Sequence, residues 1–511
     1  MKIPVVDDFL NNITMYRLTL YVLIGLVGIA VGLSYFGILS YNPLDILIET
    51  GAAVICCYIG NTILAKFFNA VTSIESVFIT ALILVLIVPV KFPHNLPFFI
   101  LVSGMAMAAK YLPTIDKRHI FNPAAAAVAA VAMLSPEHIA TWWIGTPWMM
   151  PFVLSGGVLI VRKIRREHMV ITFLTVFLLT AGAFSVLHNG SLVAALTTWK
   201  QSIFSSALLF FTFIMLTEPL TSPAIESNRS QYAILVAFLY ATPQMRLFNF
   251  ELTPELALLV GNVFSYIVSP KYRLALQLKE KIIAAKDTVI FNFGKVEKFT
   301  FAPGQYMEWT LPHKHVDSRG NRRYFSLAST PQEDIQIAVR FYNPSSSYKK
   351  ALANMQVGDK IIAASLEGSF VLPKDLSEPL VFVAGGVGIV PFRSMLTYIY
   401  EKNLKVNIVL LYANRQIEEI AYVDILTKVQ ANGVRTIYTL TDAAHTPVNW
   451  QGETGYFTSD KIQQYIPDFD RRLFYISGPQ PMVQSMQGTL EKLGVKGKSI
   501  RTDYFPGYEE F

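Results

Sequence analysis

The segment Arg323-Tyr-Phe-Ser-Leu-Ala-Ser-Thr330 sets an arginine, two aromatics and a serine in succession. An arginine beside a diphosphate makes a bidentate, charge-assisted contact. Phe325, two residues on, shares a strand face with Arg323, and Ser326 can hydrogen-bond a flavin ring nitrogen. Tyr324 lies between them and is counted with the same site. Further on, Ser345-Ser-Ser-Tyr-Lys-Lys-Ala-Leu352 reads as a serine-led helix start. Its backbone N–H groups, around Ser346 and Ser347, would cradle the same diphosphate; taken alone, the segment is a helix cap.

Ala384-Gly-Gly-Val-Gly-Ile-Val-Pro-Phe-Arg393 follows a strand and opens a helix. Glycine lets backbone approach a pyrophosphate without a Cβ in the way, and strand-before, helix-after is the context such a turn requires. Gly385, Gly386, Gly388 and Pro391 are the candidates here. Phe474-Tyr-Ile-Ser-Gly-Pro-Gln-Pro-Met-Val483 is a second strand ending in Gly478-Pro479, with Met482 beyond. It falls at the sheet edge where nicotinamide binds in parallel α/β folds. The segment Thr502-Asp-Tyr-Phe-Pro-Gly-Tyr-Glu-Glu-Phe511 offers aromatics, Phe505 among them, that can cover an isoalloxazine face.

Two segments of the first half also carry chemistry. In Lys117-Arg-His-Ile-Phe-Asn-Pro-Ala-Ala-Ala-Ala127, Asn122 is an N-cap and Pro123 stands in the first helical turn, with His119 nearby. Such a helix start suits an anion such as a flavin phosphate, and equally reads as an ordinary capped helix. In Met215-Leu-Thr-Glu-Pro-Leu-Thr-Ser-Pro-Ala224, Thr217 and Glu218 sit at a helix end, where a carboxylate near a membrane is costly unless paired or ligand-bound.

These segments need two kinds of scaffold. The chain has 511 residues, 52% of them apolar and 15% charged, with a mean hydropathy of +0.40. Residues 1–270 hold 26 charged residues and residues 271–511 hold 53. A membrane half followed by a water-soluble half follows; disorder and a disulfide scaffold are excluded. Met1 to Thr14 includes Asp7 and Asp8 before the first apolar run, so no signal peptide is expected. Ten apolar segments are expected to span or half-span the membrane, roughly 16–39, 44–68, 74–90, 97–113, 122–134, 147–161, 168–187, 201–217, 231–242 and 255–268. With the N-terminus in the cytoplasm, the flanking Lys and Arg divide 13 inside to 3 outside. The positive-inside rule then places both termini in the cytoplasm of a cytoplasmic-membrane protein.

The net charge of +7 shows no basic stripe interleaved with aromatics, so nucleic acid is not an expected partner. Cys56 and Cys57 are the only cysteines, too few for a four-thiolate cluster, and no metal site is expected. His94, His119, His138, His168 and His188 lie in loops or at segment ends, which argues against haem. In the second half, short alternating runs between Gly and Pro turns predict a small β-barrel. From about residue 379, strand and helix alternate as in a parallel α/β nucleotide-binding domain.

HIFNPAA and MLTEPLTSP, in that order on such a chain, resemble the NqrB and RnfD membrane subunits of sodium-pumping NADH:quinone reductase and the Rnf complex. The resemblance implies two inverted five-helix repeats and a membrane flavin. That family's flavin attachment signature is nearest to Ala140-Thr-Trp-Trp-Ile-Gly-Thr-Pro147, with Thr146 at the acceptor position. Its Asp and Ser positions are Ala140 and Trp143 here, so FMN or riboflavin is expected without a covalent bond. The four motifs of the second half, in their order, resemble the ferredoxin–NADP reductase family. By that resemblance Arg323 holds the FAD diphosphate, Phe325 stacks on the flavin and Ser326 bonds near N5, the last two being the catalytic candidates. The turn at Gly385, Gly386 and Gly388 would hold the nicotinamide cofactor. The family's usual Cys before Gly-Pro is Ser477, and Asp442 in Thr439-Leu-Thr-Asp442 would repel a 2′-phosphate. NADH is therefore expected over NADPH, with Arg415 keeping the choice open.

The expected architecture is a multi-domain membrane protein. An all-α ten-span bundle (1–270) precedes an FAD-binding β-barrel (271–376) and an NAD(P)-binding parallel α/β domain (377–511). Its expected function is to pass electrons from NADH through FAD to a membrane-domain flavin, and on to quinone or an extracytoplasmic acceptor. Ion coupling enters only by analogy; without an iron–sulfur cluster, FAD must lie close to its next acceptor or a small electron-carrier protein must bridge them, and the oligomeric state is open. A ferric-reductase-like transmembrane reductase and a flavin-gated transporter or sensor remain alternatives.

Overall fold

The computed structural model describes all residues except 1–5, 7–8, 11–12, 69–73, 91, 95, 113, 116–117, 135–139, 206, 243–245, 248–249, 270–271, 298, 318–319 and 505–511. Two compact units divide the chain, Met1–Ser269 and Pro270–Phe511.

The first unit is helical: α1 (Met15–Tyr35), α2 (Pro43–Phe67), α3 (Ile74–Ile87), α4 (Leu96–Tyr111), α5 (Pro123–Leu134), α6 (Met150–Ile164), α7 (Glu167–Asn189), α8 (Leu192–Ser205), α9 (Leu208–Phe210), α10 (Glu226–Tyr240) and α11 (Pro254–Val268). The starts are chemically marked. Thr14, Asn42 and Thr253 each accept a backbone N–H from the first turn, and proline opens α2 and α11. Among the described residues α1, α2 and Glu167–His188 of α7 are long and apolar enough to cross a membrane. On α2, Leu44, Leu47, Ile55, Ile59 and Ile63 face outward while Ile46, Ala53 and Cys57 are buried. An apolar outer face of this kind suits lipid. By contrast α3 is buried on all sides from Thr80 to Ile87 and belongs to the interior.

The helices pair by a repeated scheme. In the first set α1 packs on α3, α2 on α4 and α4 on α5; in the second α6 packs on the α9 segment, α7 on α10 and α10 on α11. Contacts of α1 with α6 and of α5 with α11 join the sets. Helix α8, packed on α7, is an addition to this scheme. The expected segment 201–217 is in fact divided between α8 and α9, which continues as a π turn, Phe211–Met215. Thr197, Thr198 and Lys200 dilute the apolar pattern of α8, so hydropathy alone misplaces that boundary.

The second unit opens with strands β1 (Arg273–Gln277), β2 (Glu280–Ala285), β3 (Thr288–Asn292), β4 (Tyr306–Thr310), β5 (Arg322–Ser326), β6 (Gln336–Arg340) and β7 (Lys360–Glu367), with helix α12 (Ser347–Asn354) before β7. They form two antiparallel sheets, ordered β6-β3-β2 and β1-β7-β4-β5. Period-two alternation turns Met307 and Trp309 of β4 into a shared core with Phe291, Ile337 and Tyr348.

A parallel sheet follows, ordered β11-β10-β9-β8-β12-β13 from β8 (Leu380–Gly385), β9 (Ile408–Asn414), β10 (Val434–Leu440), β11 (Glu453–Thr454), β12 (Leu473–Ser477) and β13 (Ile500–Asp503). The unbroken apolar run of β8 reflects burial on both faces, between two separate cores. The chain moves outward from β8 to β11 and then returns to β12. The crevice at the C-terminal ends of β8 and β12 is therefore the switch point where ligands bind such sheets.

Candidate functional site

At that crevice the two glycine motifs face each other. Strand β8 ends at Gly385, and a tight turn, Gly386–Gly388, leads into α13 (Ile389–Glu401). A Cβ on Gly388 would lie 2.6 Å from the Gly478 Cα and 2.5 Å from the Ser477 carbonyl carbon. On Gly385 it would meet the Met482 sulfur at 3.1 Å, and on Gly478 the same sulfur at 3.0 Å. Gly386 has a left-handed φ of +52°, and among the described residues only the Arg340 guanidinium lies beside it, 3.4 Å from where a Cβ would project. The turn is thus closed toward β12 and open where a pyrophosphate would lie along the first N–H groups of α13. Pro391 is buried in the first turn of that helix, while Pro479 is exposed just before α14 (Gln480–Lys492).

Strand β5 divides its motif between two faces. Arg323 holds its guanidinium 5.1 Å from the Tyr348 ring centroid and donates from Nη1 to the Gly320 and Arg322 carbonyls. Phe325 is 7% exposed, and its ring packs 6.1 Å from Tyr348, so it stands in the core. On the other face the Tyr324 hydroxyl donates to Glu308 Oε2 at 3.1 Å and Arg322 pairs with Oε1 at 3.2 Å. Ser326 is buried at the end of the strand. Helix α12 starts beside Arg323: Ser346 Oγ accepts the Lys349 N–H at 3.2 Å, and the Ser347 N–H donates to Asp317 Oδ2 at 2.9 Å. Asp317 returns its own N–H to Ser347 Oγ at 2.9 Å, and Oδ1 lies 3.9 Å from Arg323. Arginine, capped helix start and loop carboxylate therefore share one small region.

Past the end of β9, Arg415 is exposed, with its N–H on Glu419 Oε2 at 3.3 Å and its carbonyl accepting the Asp442 N–H at 3.1 Å. The Asp442 carboxylate accepts from Gln416 Nε2 at 3.2 Å and lies 2.9 Å from His445 Nδ1. The Gln416 amide first, and His445 with it, hold this carboxyl below the ordinary carboxylate range. Asp442 is thus an anion at a sheet edge that dinucleotide ribose groups approach in such folds.

In the first unit the two unusual segments meet. Asn122 Oδ1 accepts the Ala125 N–H at 3.0 Å, capping α5, while its Nδ2 donates to Glu218 Oε2 at 2.7 Å. Thr221 Oγ1 donates to the same oxygen at 3.0 Å. Asn262 completes the junction, accepting the Asn122 N–H at 2.9 Å and donating to the Thr221 carbonyl at 3.1 Å. Arg166 donates to Ser222 beside them. Thr217 is turned inward and bonds the Phe213 carbonyl at 2.7 Å. The Thr146 hydroxyl is different: it is buried and, among the described residues, has no hydrogen-bond partner.

Residues 382–488 match the oxidoreductase NAD-binding domain family, and residues 143–271 match the NQR2, RnfD, RnfE family. An NADH-cytochrome b5 reductase 1 of Meyerozyma guilliermondii is 32% identical over 239 residues, 45% of this chain and 81% of that protein. The chain belongs to the NADH-cytochrome b5 reductase family. It is an NAD(P)H-dependent flavin oxidoreductase that carries an NqrB/RnfD-like membrane domain in its first half. A Bacillus anthracis flavohemoprotein is 27% identical over 42% of this chain, which spans only 54% of that protein's length. The FAD/NAD-binding domain of the Vibrio cholerae nitric oxide dioxygenase aligns with a TM-score of 0.40 and 21% identity, over 46% of this chain and 98% of that one.

Within the reductase half, the structure gathers Gly385, Gly386, Gly388, Gly478, Pro479 and Met482 at one crevice. Arg323, Ser346 and Ser347 gather at the start of α12. Phe505 and the side chain of His119 lie outside the described residues; the His119 backbone is in a two-residue strand, Arg118–His119. Sequence reasoning missed Glu308, Asp317, Glu333 and Glu419. Each is a carboxylate whose partner lies in another element, and no local motif marks such a residue.

Proposed function

We propose that this reductase takes a hydride from NADH at the Gly385–Gly388 crevice and passes the electrons through FAD to its own membrane half. From there they would go on to quinone or an extracytoplasmic acceptor. The observation that carries the reading is the closure of both glycine turns on each other at the sheet's switch point, in one compact unit with the Arg323 strand. A flavin, when bound, accepts two electrons as hydride and releases them singly. The chain's own residues would bind and orient. Arg323 and Ser346 would hold the FAD diphosphate at the start of α12, and Ser347 would join them once its N–H leaves the Asp317 carboxylate it now donates to. Ser326 and Tyr324 would border the ring, whereas Phe325, expected to stack on it, packs in the core against Tyr348. Gly385, Gly386, Gly388 and Pro391 fit the dinucleotide pyrophosphate, with Gly478, Pro479 and Met482 flooring the nicotinamide and Arg415 at its far end.

Asp442 favours NADH by its charge. Asp442→Ser is expected to raise kcat/KM for NADPH relative to NADH about tenfold or more, since like charges brought together are costly even when partly screened. An unchanged ratio removes Asp442 from this role. Because its carboxyl is held below the usual range, Asp442 should keep its charge from about pH 5 upward.

For the membrane half we favour the ten-span arrangement of two inverted five-helix sets, with domains over 1–270, 271–376 and 377–511. The protein would sit in the cytoplasmic membrane with both termini in the cytoplasm; the repeated helix pairing supports that reading. Asn122, Pro123, Thr217 and Glu218 are committed to one another or to backbone, which leaves Thr146 as the group suited to a second flavin. The space beside it, between Ile144, Gly145, Met150 and Phe210, is no larger than a water site and does not enclose a flavin. Thr146 would touch FMN or riboflavin only at its edge and without a covalent bond, and no electron step is assigned to it. Acid precipitation of the purified chain, followed by separate assay of released FAD, released FMN or riboflavin, and polypeptide-bound flavin, tests the inventory. FAD with a second, released flavin is expected; FAD alone removes the membrane flavin.

A further inference from the structure

Resting on the reading above, we propose that Arg393 and Glu333 form a positioning clasp that fixes the dinucleotide turn at the correct distance from the flavin-side strand. Helix α13 begins directly after Gly388, and Arg393 lies on its second turn. Residues 327–330 follow β5 directly, outside the strand. Arg393 Nη1 donates to the Ala328 carbonyl at 2.8 Å and to Glu333 Oε2 at 2.5 Å, and Nη2 donates to Glu333 Oε1 at 2.7 Å. The two guanidinium nitrogens thus grip both carboxylate oxygens, the arrangement that adds direction to charge. Glu333 Oε2 also receives the Thr330 N–H at 2.8 Å.

Two further bonds lie alongside. Ser394 Oγ donates to the Ser329 carbonyl at 2.6 Å, and Thr330 Oγ1 donates to Glu401 Oε1 at 3.1 Å. Ser329, Thr330 and Ser394 are each 0% exposed. The guanidinium also lies 5.7 Å from the Tyr422 ring centroid, and Tyr422 holds a left-handed φ of 62°. An exposed ion pair does little, but the Arg393 and Glu333 side chains are only 14% and 25% exposed. Every bond in the group joins the helix that follows the glycine turn to the segment that follows Ser326, or braces that joint. A second tie, Arg340 Nη2 to Glu419 Oε1 at 2.6 Å, joins the same two subdomains elsewhere. Loosening the clasp therefore shifts α13 on β5 without releasing it. Hydride transfer is steep in distance: a misplacement of about 1 Å costs about a hundredfold in rate.

The test uses the full-length, FAD-loaded protein and its Glu333→Gln, Glu333→Asp and Arg393→Lys variants. Each is mixed anaerobically with a series of NADH concentrations to separate the limiting rate of flavin reduction from the Kd for NADH. NAD⁺ binding is measured by calorimetry, and FAD content and thermal midpoint are recorded. The clasp predicts a limiting rate about tenfold to a hundredfold lower in Glu333→Gln and Arg393→Lys, with FAD content kept and both dinucleotide Kd values within about threefold of wild type. It also predicts a faster limiting rate in Glu333→Asp than in Glu333→Gln. Wild-type limiting rates in both variants overturn the proposal. So does a loss that appears only in Kd, or only in step with lost FAD or a lowered midpoint. A wild-type protein that NADH does not reduce contradicts the functional reading instead, so the two failures are distinguishable.

Discussion

Gly388→Ala is expected to lower the rate of NADH-dependent flavin reduction by about a hundredfold or more. The added methyl would lie 2.5 Å from the Ser477 carbonyl carbon and 2.6 Å from the Gly478 Cα. These are backbone atoms of β12, and pairing of Ala384 with Ser477 in the parallel ladder pins their position. Relief requires the turn or the strand end to move, which deforms the surface the dinucleotide would rest on. Overpacking of this kind also costs about 1–3 kcal/mol of stability, so a thermal melt should accompany the kinetics. Gly386→Ala is the informative companion. Among the described residues its Cβ would meet only the Arg340 guanidinium at 3.4 Å, and the main penalty is the left-handed φ of +52°, about 1–2 kcal/mol. A milder loss is expected there. Equal rates in Gly388→Ala and wild type, read in the same rapid-mixing assay, contradict the assignment of the crevice.

Arg323→Ala is expected to strip FAD from the protein. A hydrogen bond to a charged group contributes about 1.5–3 kcal/mol, roughly 10- to 150-fold in Kd. The variant should purify with little FAD and bind added FAD weakly by fluorescence titration. Arg323→Lys should recover part of the affinity, because an ammonium keeps the charge and loses the planar fork. Loss of the Tyr348 contact in both variants controls for packing. Normal FAD content in Arg323→Ala sinks the diphosphate assignment.

The glycine turns were legible because their chemistry is local. A strand, a Gly-rich turn and a helix are read in one short segment, and glycine is required there for a physical reason. That Gly388 would face Gly478 is not local, because it depends on β12 returning beside β8 after three outward strands. The same holds for Arg323 and the start of α12, which residue types mark and packing brings together. Phe325 illustrates where spacing alone falls short. It shares a face with Arg323, as alternation requires, but that face is the core.

In the first unit, Asn122 and Glu218 each read as a group awaiting an anion or a cation. They are instead each other's partner across 96 residues of sequence. A carboxylate of the chain stands at two of the three helix starts that the sequence offered to a phosphate, Glu218 beside α5 and Asp317 on α12. Such pairings satisfy buried or half-buried donors, and no motif in either segment announces them.

The most direct test of electron flow through this one chain is anaerobic rapid mixing of NADH with the full-length, FAD-loaded protein in lipid vesicles, followed by addition of a lipid-soluble quinone. Bleaching of the flavin by NADH and its prompt recolouring by the quinone are the predicted result. A flavin that stays yellow in excess NADH, or one that bleaches and is not reoxidised by the quinone, contradicts the account.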